Sequence, residues 1–150
     1  MKLSAKSRYA LRLLIDIALH SGAARPRTIR QMSESQQISE KFISRLVVPM
    51  RNAGMISSVR GVQGGFLLGR EPSGITLLDI VETLEGPVSI SDCVMDRASC
   101  GRSGACIARS AWSFVNGSLR DSLRSVTLAD VLKGDFGTES KPTVAKNAEL

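Results

Sequence analysis

The sequence predicts a mainly α-helical protein with one small β-hairpin. Apolar residues recur at three- and four-residue spacing through most of the chain, as they do along helices with one buried face. Only two short runs, 56–59 and 66–68, have the composition of strands, and a glycine-rich segment separates them. The 150 residues, 43% of them hydrophobic, can form a domain with its own core.

The first half of the chain predicts three helices, at about residues 7–20, 29–33 and 40–54. An apolar stripe on the first consists of Leu11, Leu14, Ile15, Ala18 and Leu19. Arg8, Arg12 and Asp16 recur four apart off that stripe, which places them on the helix surface. Gly22 is expected to end this helix.

Capping residues and a proline set the bounds of the next two helices. Thr28 and Gln31 have the spacing of a capping box, and Ser39 is a good N-cap for the third helix. Pro49 falls inside that helix, where a straight helix would lose about 3 kcal/mol, so we expect a kink or a break there. Gly54 is expected to close the last turn.

The order of these elements predicts a winged helix-turn-helix domain, with the hairpin tipped by residues 60–65 as the wing. Charge follows the same division. Residues 1–70 hold twelve Lys and Arg against three acids, a net charge of +9, whereas residues 71–150 carry −3. A basic half is typical of nucleic-acid-binding modules, although charge alone favours an uncommitted basic surface.

The second half predicts helices around a cysteine-bearing loop. Ile75–Ile80 starts a fourth helix with Thr76 and Asp79 at capping-box spacing, and the same device recurs at Val126–Val131. Between them lies a longer helix from about Ile107 to Ser125. Its apolar seam for a partner helix consists of Ala108, Trp112, Val115, Leu119 and Val126, with Leu123 beside it. We expect three regions: a DNA-binding domain at 1–70, the cysteine loop and dimerisation helices at 71–133, and a flexible tail at 134–150.

Cys93, Cys100 and Cys106 form a C-x6-C-x5-C set on this loop, which runs from Val88 to Cys106 and is called the cysteine loop below. Three thiolates on a glycine-containing loop can converge on one inorganic centre, and the nearby Arg97, Arg102 and Arg109 would offset its negative charge. Three unrelated thiols are the simpler alternative. Zinc fits less well because the C-x2–4-C pairing of structural zinc sites is absent, and a disulfide switch would need only two of the three.

Other classes of function find little support. The most apolar run, 9–19, is interrupted by Arg12 and Asp16, so neither a membrane span nor a signal peptide is expected and the chain should be cytoplasmic. His20 is the only histidine, and it sits at a predicted helix end, where a cation is favourable. No catalytic triad and no phosphate-binding glycine motif is present, so an enzyme is not predicted.

Several segments together resemble the IscR-like family of bacterial winged-helix transcriptional regulators. They are the opening Met1–Leu11, the runs Pro49–Gly61 and Gly64–Arg70, the segment Ile75–Asp79, and the cysteine loop. The resemblance covers about residues 1–133. It implies a homodimeric transcription factor, a repressor or dual regulator, that places its third helix and wing on each half of a palindromic operator in double-stranded DNA.

The resemblance also implies an iron–sulfur cluster, 2Fe-2S or 4Fe-4S, held by the three cysteines. Such a cluster would respond to iron, redox or nitric-oxide status. Arg109 stands where the IscR subgroup has a ligand histidine, and Lys6-Ser7-Arg8 stands where the nitric-oxide-sensing subgroup has an acidic residue. The fourth ligand is therefore open among Asp92, Asp96, a small thiol and a residue of the other subunit.

The third helix and the wing are the elements expected to meet DNA, and their polar residues are the expected contacts. On the third helix and its end they are Ser39, Lys41, Ser44, Arg45 and Arg51, and on the wing they are Arg60, Gln63, Gly64 and Gly65. A cluster-free regulator of the same fold, controlled by thiol oxidation or by a partner protein, is the alternative function.

Overall fold

The computed structural model describes residues 3–20, 25–102, 104–134 and 136. Its helices are α1 Ala5–His20, α2 Ile29–Gln36, α3 Glu40–Asn52, α4 Leu77–Glu85, α5 Asp92–Met95, α6 Ile107–Ser125 and α7 Leu128–Lys133. Its strands are β1 Ile56–Val59 and β2 Gly65–Leu68. The predicted helix stop at Gly22 lies outside the described residues, as does most of the predicted tail.

The buried face of α1 differs from the predicted stripe. Ala10, Leu13, Leu14 and Ile17 are fully buried, whereas Leu19 is 67% exposed. Because apolar residues occur on several sides of this helix, its periodicity fits two neighbouring faces equally well, and the predicted face was rotated from the real one. The surface position predicted for Asp16 is wrong for the same reason.

Two expectations for α2 and α3 also need correction. α2 continues to Gln36, beyond the predicted end at Ser33, and stops where Gln37 adopts a left-handed conformation with φ 56°. α3 runs through Pro49 without a break, so the break that we allowed for is wrong. The hydrogen bond that Pro49 forgoes would have gone to the carbonyl of Arg45, an exposed residue, so water can replace it.

The wing is an antiparallel hairpin in which Ile56 pairs with Leu68 and Val59 with Gly65. A third segment extends it, because the backbone N–H and C=O of Arg27 both bond to Phe66 at 2.8 Å. The order of helices and hairpin is the predicted winged helix-turn-helix, and the segment before α2 ties the wing to the helical core.

The two predicted capping boxes of the second half are present, at Thr76 with Asp79 and at Thr127 with Asp130. They also lie side by side. Leu77 N donates to Val126 O at 2.9 Å and Leu128 N donates to Ile75 O at 2.8 Å. This pairing of 75–77 with 126–128, called the clasp below, places the fully buried Ile75 and Leu128 in one core with α1–α3.

α6 packs on α4 through its C-terminal half. Leu119 and Leu123 cover a small apolar cluster formed by Leu78, Val81 and Val88. The N-terminal half of the predicted seam has no such cover, since Ala108, Trp112 and Val115 are exposed. None of the described helices is long and apolar enough to cross a membrane.

Candidate nucleic-acid interface and cysteine loop

One side of α3 is exposed and basic. Lys41, Ser44 and Arg45 lie on it with the half-exposed Val48, opposite the buried Ile43, Leu46, Val47 and Met50. Neither Lys41 nor Arg45 forms an ion pair with a described residue. Their charges are therefore directed to solvent, where they can meet phosphates or base edges.

Two of the predicted DNA-facing residues also have local structural roles. The Ser39 hydroxyl caps α3 by accepting a hydrogen bond from Phe42 N at 3.3 Å. The Ser44 hydroxyl donates to Glu40 O, one turn back, at 2.8 Å. Both side chains are exposed, so each keeps free acceptor capacity towards solvent. Arg51 is exposed in the last turn of α3.

The wing tip exposes Arg60 and Gln63 beside the half-buried glycine pair. Gly64 N donates to Gly61 O at 2.9 Å, closing the turn. A Cβ on Gly64 would lie 2.5 Å from Val59 O, and one on Gly65, where φ is +155°, would lie 2.6 Å from Arg27 O. These two glycines are thus required by the shape of the wing, whether or not their backbone also meets DNA.

Asp16 organises the junction between α1, α2 and the wing, a role that the sequence pattern did not reveal. It is 3% exposed and accepts hydrogen bonds from Arg27 at 3.0 and 3.2 Å. Ser35 and Gln36 donate to its Oδ1 at 2.9 and 3.3 Å. Burial acts to raise the pKa of Asp16, but the bonds from Arg27, Ser35 and Gln36 and the Arg27 charge outweigh it and hold the pKa below its ordinary value.

Because Arg27 also pairs with Phe66 through its backbone, the Asp16–Arg27 ion pair connects α1 to the wing. A second contact joins α1 to α2: Arg12 donates to the side chain and the carbonyl of Gln36 at 3.1 and 2.8 Å. The missed signal was an acid in the middle of an apolar helix, with an arginine in the connection that follows it.

The cysteine loop has more regular structure than expected, with α5 at its start and a short 3-10 helix at Arg97–Ser99. Cys93 and Cys106 are half-buried, Cys100 is exposed, and all three are free thiols. No group of three Cys, His, Asp or Glu among the described residues is close enough to hold a metal ion. The structure thus places all three cysteines on one loop and does not gather them.

Local contacts hold Cys93 in its position. Its sulfur lies 3.2 Å from the Ser91 hydroxyl, and Arg109 Nε donates to its carbonyl at 2.7 Å. Asp96, one candidate for a fourth ligand, instead caps the 3-10 helix by accepting from Ala98 N at 2.9 Å. Asp92 is exposed. By donor chemistry three accessible thiols fit an iron–sulfur cluster, provided that the loop closes around it.

A basic third helix and a glycine-tipped wing are the features of a DNA-binding transcriptional regulator. The comparison with known families agrees with this class. Residues 3–134 match the Rrf2 family, described as "Iron-dependent Transcriptional regulator". The chain belongs to the Rrf2 family of transcriptional regulators, which confirms the resemblance found in the sequence and the expectation that it is not an enzyme.

The chain is similar to family members that carry different names. The transcriptional regulator CymR of Bacillus subtilis is 35% identical over 131 residues, 87% of this chain and 89% of CymR. The protein rrf2 of Nitratidesulfovibrio vulgaris is 34% identical over 133 residues, 89% of this chain and 88% of that protein. IscR of Escherichia coli is 31% identical over 132 residues, 88% of this chain and 80% of IscR.

Similar solved structures include both CymR and IscR. The structure of B. subtilis CymR, described as a global cysteine regulator, has a TM-score of 0.73 at 33% identity and covers 89% of this chain and 98% of its own. IscR of T. potens has a TM-score of 0.71 at 34% identity, with 89% and 88% covered. The oxidised form of Staphylococcus aureus CymR has a TM-score of 0.67 at 30% identity, with 89% and 97% covered. The likeness confirms the winged-helix fold.

Proposed function

We propose that this Rrf2-family regulator binds a palindromic DNA operator as a homodimer. In this proposal an iron–sulfur cluster held by Cys93, Cys100 and Cys106 controls its affinity for that operator. The observation that carries the proposal is the position of the three thiols. They occupy one accessible loop between α4, which packs on the DNA-binding helices, and α6, which exposes an apolar face.

DNA recognition is assigned to the exposed side of α3 and to the wing. Lys41, Ser44 and Arg45 face the major groove, while Arg51 and the wing residues Arg60 and Gln63 contact the backbone. The Ser39 hydroxyl and the Gly64-Gly65 backbone complete this footprint. The Asp16–Arg27 pair and the backbone bonds of Arg27 to Phe66 fix the wing to α1, which supports a rigid contact with DNA.

Dimerisation is assigned to the first half of α6. Ala108, Trp112 and Val115 lie three and four residues apart on one exposed face, and Trp112 is 53% exposed. A second copy of this face would remove these side chains from water, at about 25 cal/mol for each Å² of apolar surface buried. A dimer also presents two α3 helices and therefore suits a palindromic operator.

The cluster would be bound by the three cysteine thiolates. Iron–sulfur clusters supply reversible electron transfer and reactivity towards oxidants and nitric oxide. The chain's own part is to supply the three thiolates, to place Arg97, Arg102 and Arg109 near them, and to hold the loop against α4 and α6. The fourth ligand is left to Asp92, Asp96, a small thiol or a residue of the other subunit.

Purification without oxygen, followed by visible absorption and by iron and sulfide assays, tests this assignment. We expect broad visible absorption that is lost in the Cys93→Ala, Cys100→Ala and Cys106→Ala variants. The iron count for each chain separates a two-iron from a four-iron cluster. A protein that stays colourless after reconstitution with iron and sulfide would contradict the cluster.

A cluster-free mode of control is the second candidate, and a specific observation favours it. The three thiols are free and not gathered, and similar structures include an oxidised form of CymR. In this mode thiol oxidation or a partner protein changes DNA affinity. A triple cysteine-to-alanine variant that still responds to its signal supports control by a partner protein. A variant that loses the response fits both thiol oxidation and the cluster, and the iron and sulfide assays then separate those two.

A further inference from the structure

The last turn of α4 carries two carboxylates that bind to different parts of the protein. Glu82 and Glu85 are three residues apart, and the cysteine loop begins at Val88, just after them. Each carboxylate bonds to a part of the chain distant in sequence. The turn therefore touches the cysteine loop and α6 on one side and the start of α1 on the other.

Glu82 connects the loop to α6. Its Oε1 accepts a hydrogen bond from Val88 N at 3.0 Å, and its carboxylate forms an ion pair with Arg120. Asn116, the buried residue of α6, strengthens the same junction by accepting from Ile90 N at 3.0 Å and donating to Val88 O at 3.4 Å. The first residues of the cysteine loop are thus held by side chains of both flanking helices.

Glu85 connects α4 to the first turn of α1. Its Oε1 accepts from Ser4 N at 3.1 Å, from the Ser4 hydroxyl at 2.9 Å and from the Ser7 hydroxyl. Ser7 is buried although polar, and Glu85 is its partner. The Ser7 hydrogen bond is the main reason that the pKa of Glu85 lies below its ordinary value, so the carboxylate that caps α1 is charged at neutral pH.

The same turn borders the DNA-reading helix. Thr83 and Leu84 line a cleft with Lys6 at the start of α1 and with Phe42 and Arg45 of α3. A small shift of this turn would therefore be felt at two elements of the DNA-binding half. Arg45 is one of the residues assigned to DNA.

The other junction between the two halves is of a different kind. At the clasp, backbone hydrogen bonds of 2.8 and 2.9 Å pair 75–77 with 126–128, and the side chains of Ile75 and Leu128 are fully buried. Such a junction resists movement. At the end of α4, by contrast, the hydrogen bonds to the loop and to α1 are made by side chains, which exchange partners more readily than paired backbone groups.

We propose that Glu82 and Glu85 are positioning residues that transmit the state of the cysteine loop to α1 and α3. Glu82 moves with the start of the cysteine loop, to which it is hydrogen-bonded. Glu85 holds the first turn of α1 against the end of α4. The inference deepens the proposed function, because it names the route by which the loop would control DNA binding.

Hydrogen exchange on the DNA-free protein tests this route, with N-ethylmaleimide as the perturbation of the three thiols. In the wild type, alkylation should change the exchange rates of amides at the end of α4 and in the first two turns of α1, by about fivefold or more. In Glu85→Ala the change at the end of α4 should persist while the change in α1 is lost. Glu85→Gln keeps an acceptor oxygen and should retain part of the α1 response.

Glu71→Ala is the matched control, since Glu71 is an exposed acid whose side chain does not cap the helix that follows it. It should behave as the wild type. A wild type without an α1 response, or a Glu85→Ala variant that keeps the full response, would overturn the proposal, as would loss of the response in Glu71→Ala.

Operator binding by the alkylated and unmodified proteins separates this inference from the function on which it rests. If exchange is coupled as expected and DNA affinity is the same for both, control of DNA binding by the loop fails while the route through Glu85 stands. If DNA affinity changes and α1 exchange does not, the control exists and the route is wrong.

Discussion

The wing and the cysteine loop both contain glycines, but the surroundings of these glycines differ. In the wing, Gly64 and Gly65 stand where a Cβ would lie 2.5–2.6 Å from a carbonyl oxygen. In the cysteine loop, a Cβ on Gly101 or Gly104 meets no described atom within 4 Å, and neither residue has a positive φ. The wing needs glycine for its present shape, whereas the loop does not.

This difference separates a wing whose backbone shape is fixed from a loop whose backbone can take other courses. The wing is fixed by backbone pairing on both sides of β2 and by the Asp16–Arg27 ion pair behind it. The cysteine loop is tied down near its start and at Cys93, and Cys100 is exposed. Glycine there leaves the backbone free to bring thiols together.

The largest expected effect is on the support of the wing. Asp16→Ala should lower the free energy of unfolding by about 3 kcal/mol, because it leaves the largely buried guanidinium of Arg27 unpaired. Chemical denaturation measures this. Asp121→Ala, which removes the exposed partner of Arg124, should cost less than about 0.5 kcal/mol. Equal losses in both variants would remove Asp16 from the support of the wing.

A pair of glycine substitutions tests the comparison directly. Gly65→Ala should cost about 2 kcal/mol, because its Cβ would meet the Arg27 carbonyl at a φ that side chains rarely adopt. Gly101→Ala should change stability by no more than about 0.5 kcal/mol. If Gly101→Ala is as costly as Gly65→Ala, the cysteine loop is as tightly built as the wing.

Loss of the Arg60 side chain at the wing tip is expected to weaken DNA binding. Arg60→Ala should weaken operator binding about three- to tenfold and reduce the slope of log affinity against log salt by about one, since one phosphate contact is lost. Titrations at several salt concentrations measure both. Arg124→Ala, on the exposed side of α6, is the matched loss of charge and should leave the slope unchanged.

The smallest effect concerns pH. Because the pKa of Asp16 is lowered in the folded protein, its stabilising contribution is present above its ordinary pKa of about 3.9 and is lost as the pH falls through the lowered value. The stability of Asp16→Asn should therefore decline less steeply with acidification below about pH 4 than that of the wild type. Parallel pH profiles would contradict this assignment.

Much of the fold could be predicted because its signals are local. Capping boxes at Thr28, Thr76 and Thr127 join residues three apart, so their sequence spacing is sufficient to predict them. The bounds predicted for α6 and β1 are confirmed. α5 was not predicted because a single turn of four residues has no periodicity to detect.

The site was less accessible to sequence reasoning because its key contacts are distant in the chain. Asp16 was misplaced since two apolar faces of α1 fit the pattern, and only packing in the core decides between them. The Glu85–Ser7 contact joins residues 78 apart, which no spacing rule detects. The cysteine spacing predicted a shared loop and not the positions of the thiols on it.

The clasp has a consequence for how this protein can diversify. Two copies of one helix-starting device, at Thr76 and Thr127, fix both ends of the intervening segment on the DNA-binding core. The segment between them is therefore an insert with anchored ends, and lengthening a flexible stretch within it costs little, about 0.6 kcal/mol for each doubling. Loops of different length and chemistry can be exchanged there while the helices α1–α3 and the wing are preserved.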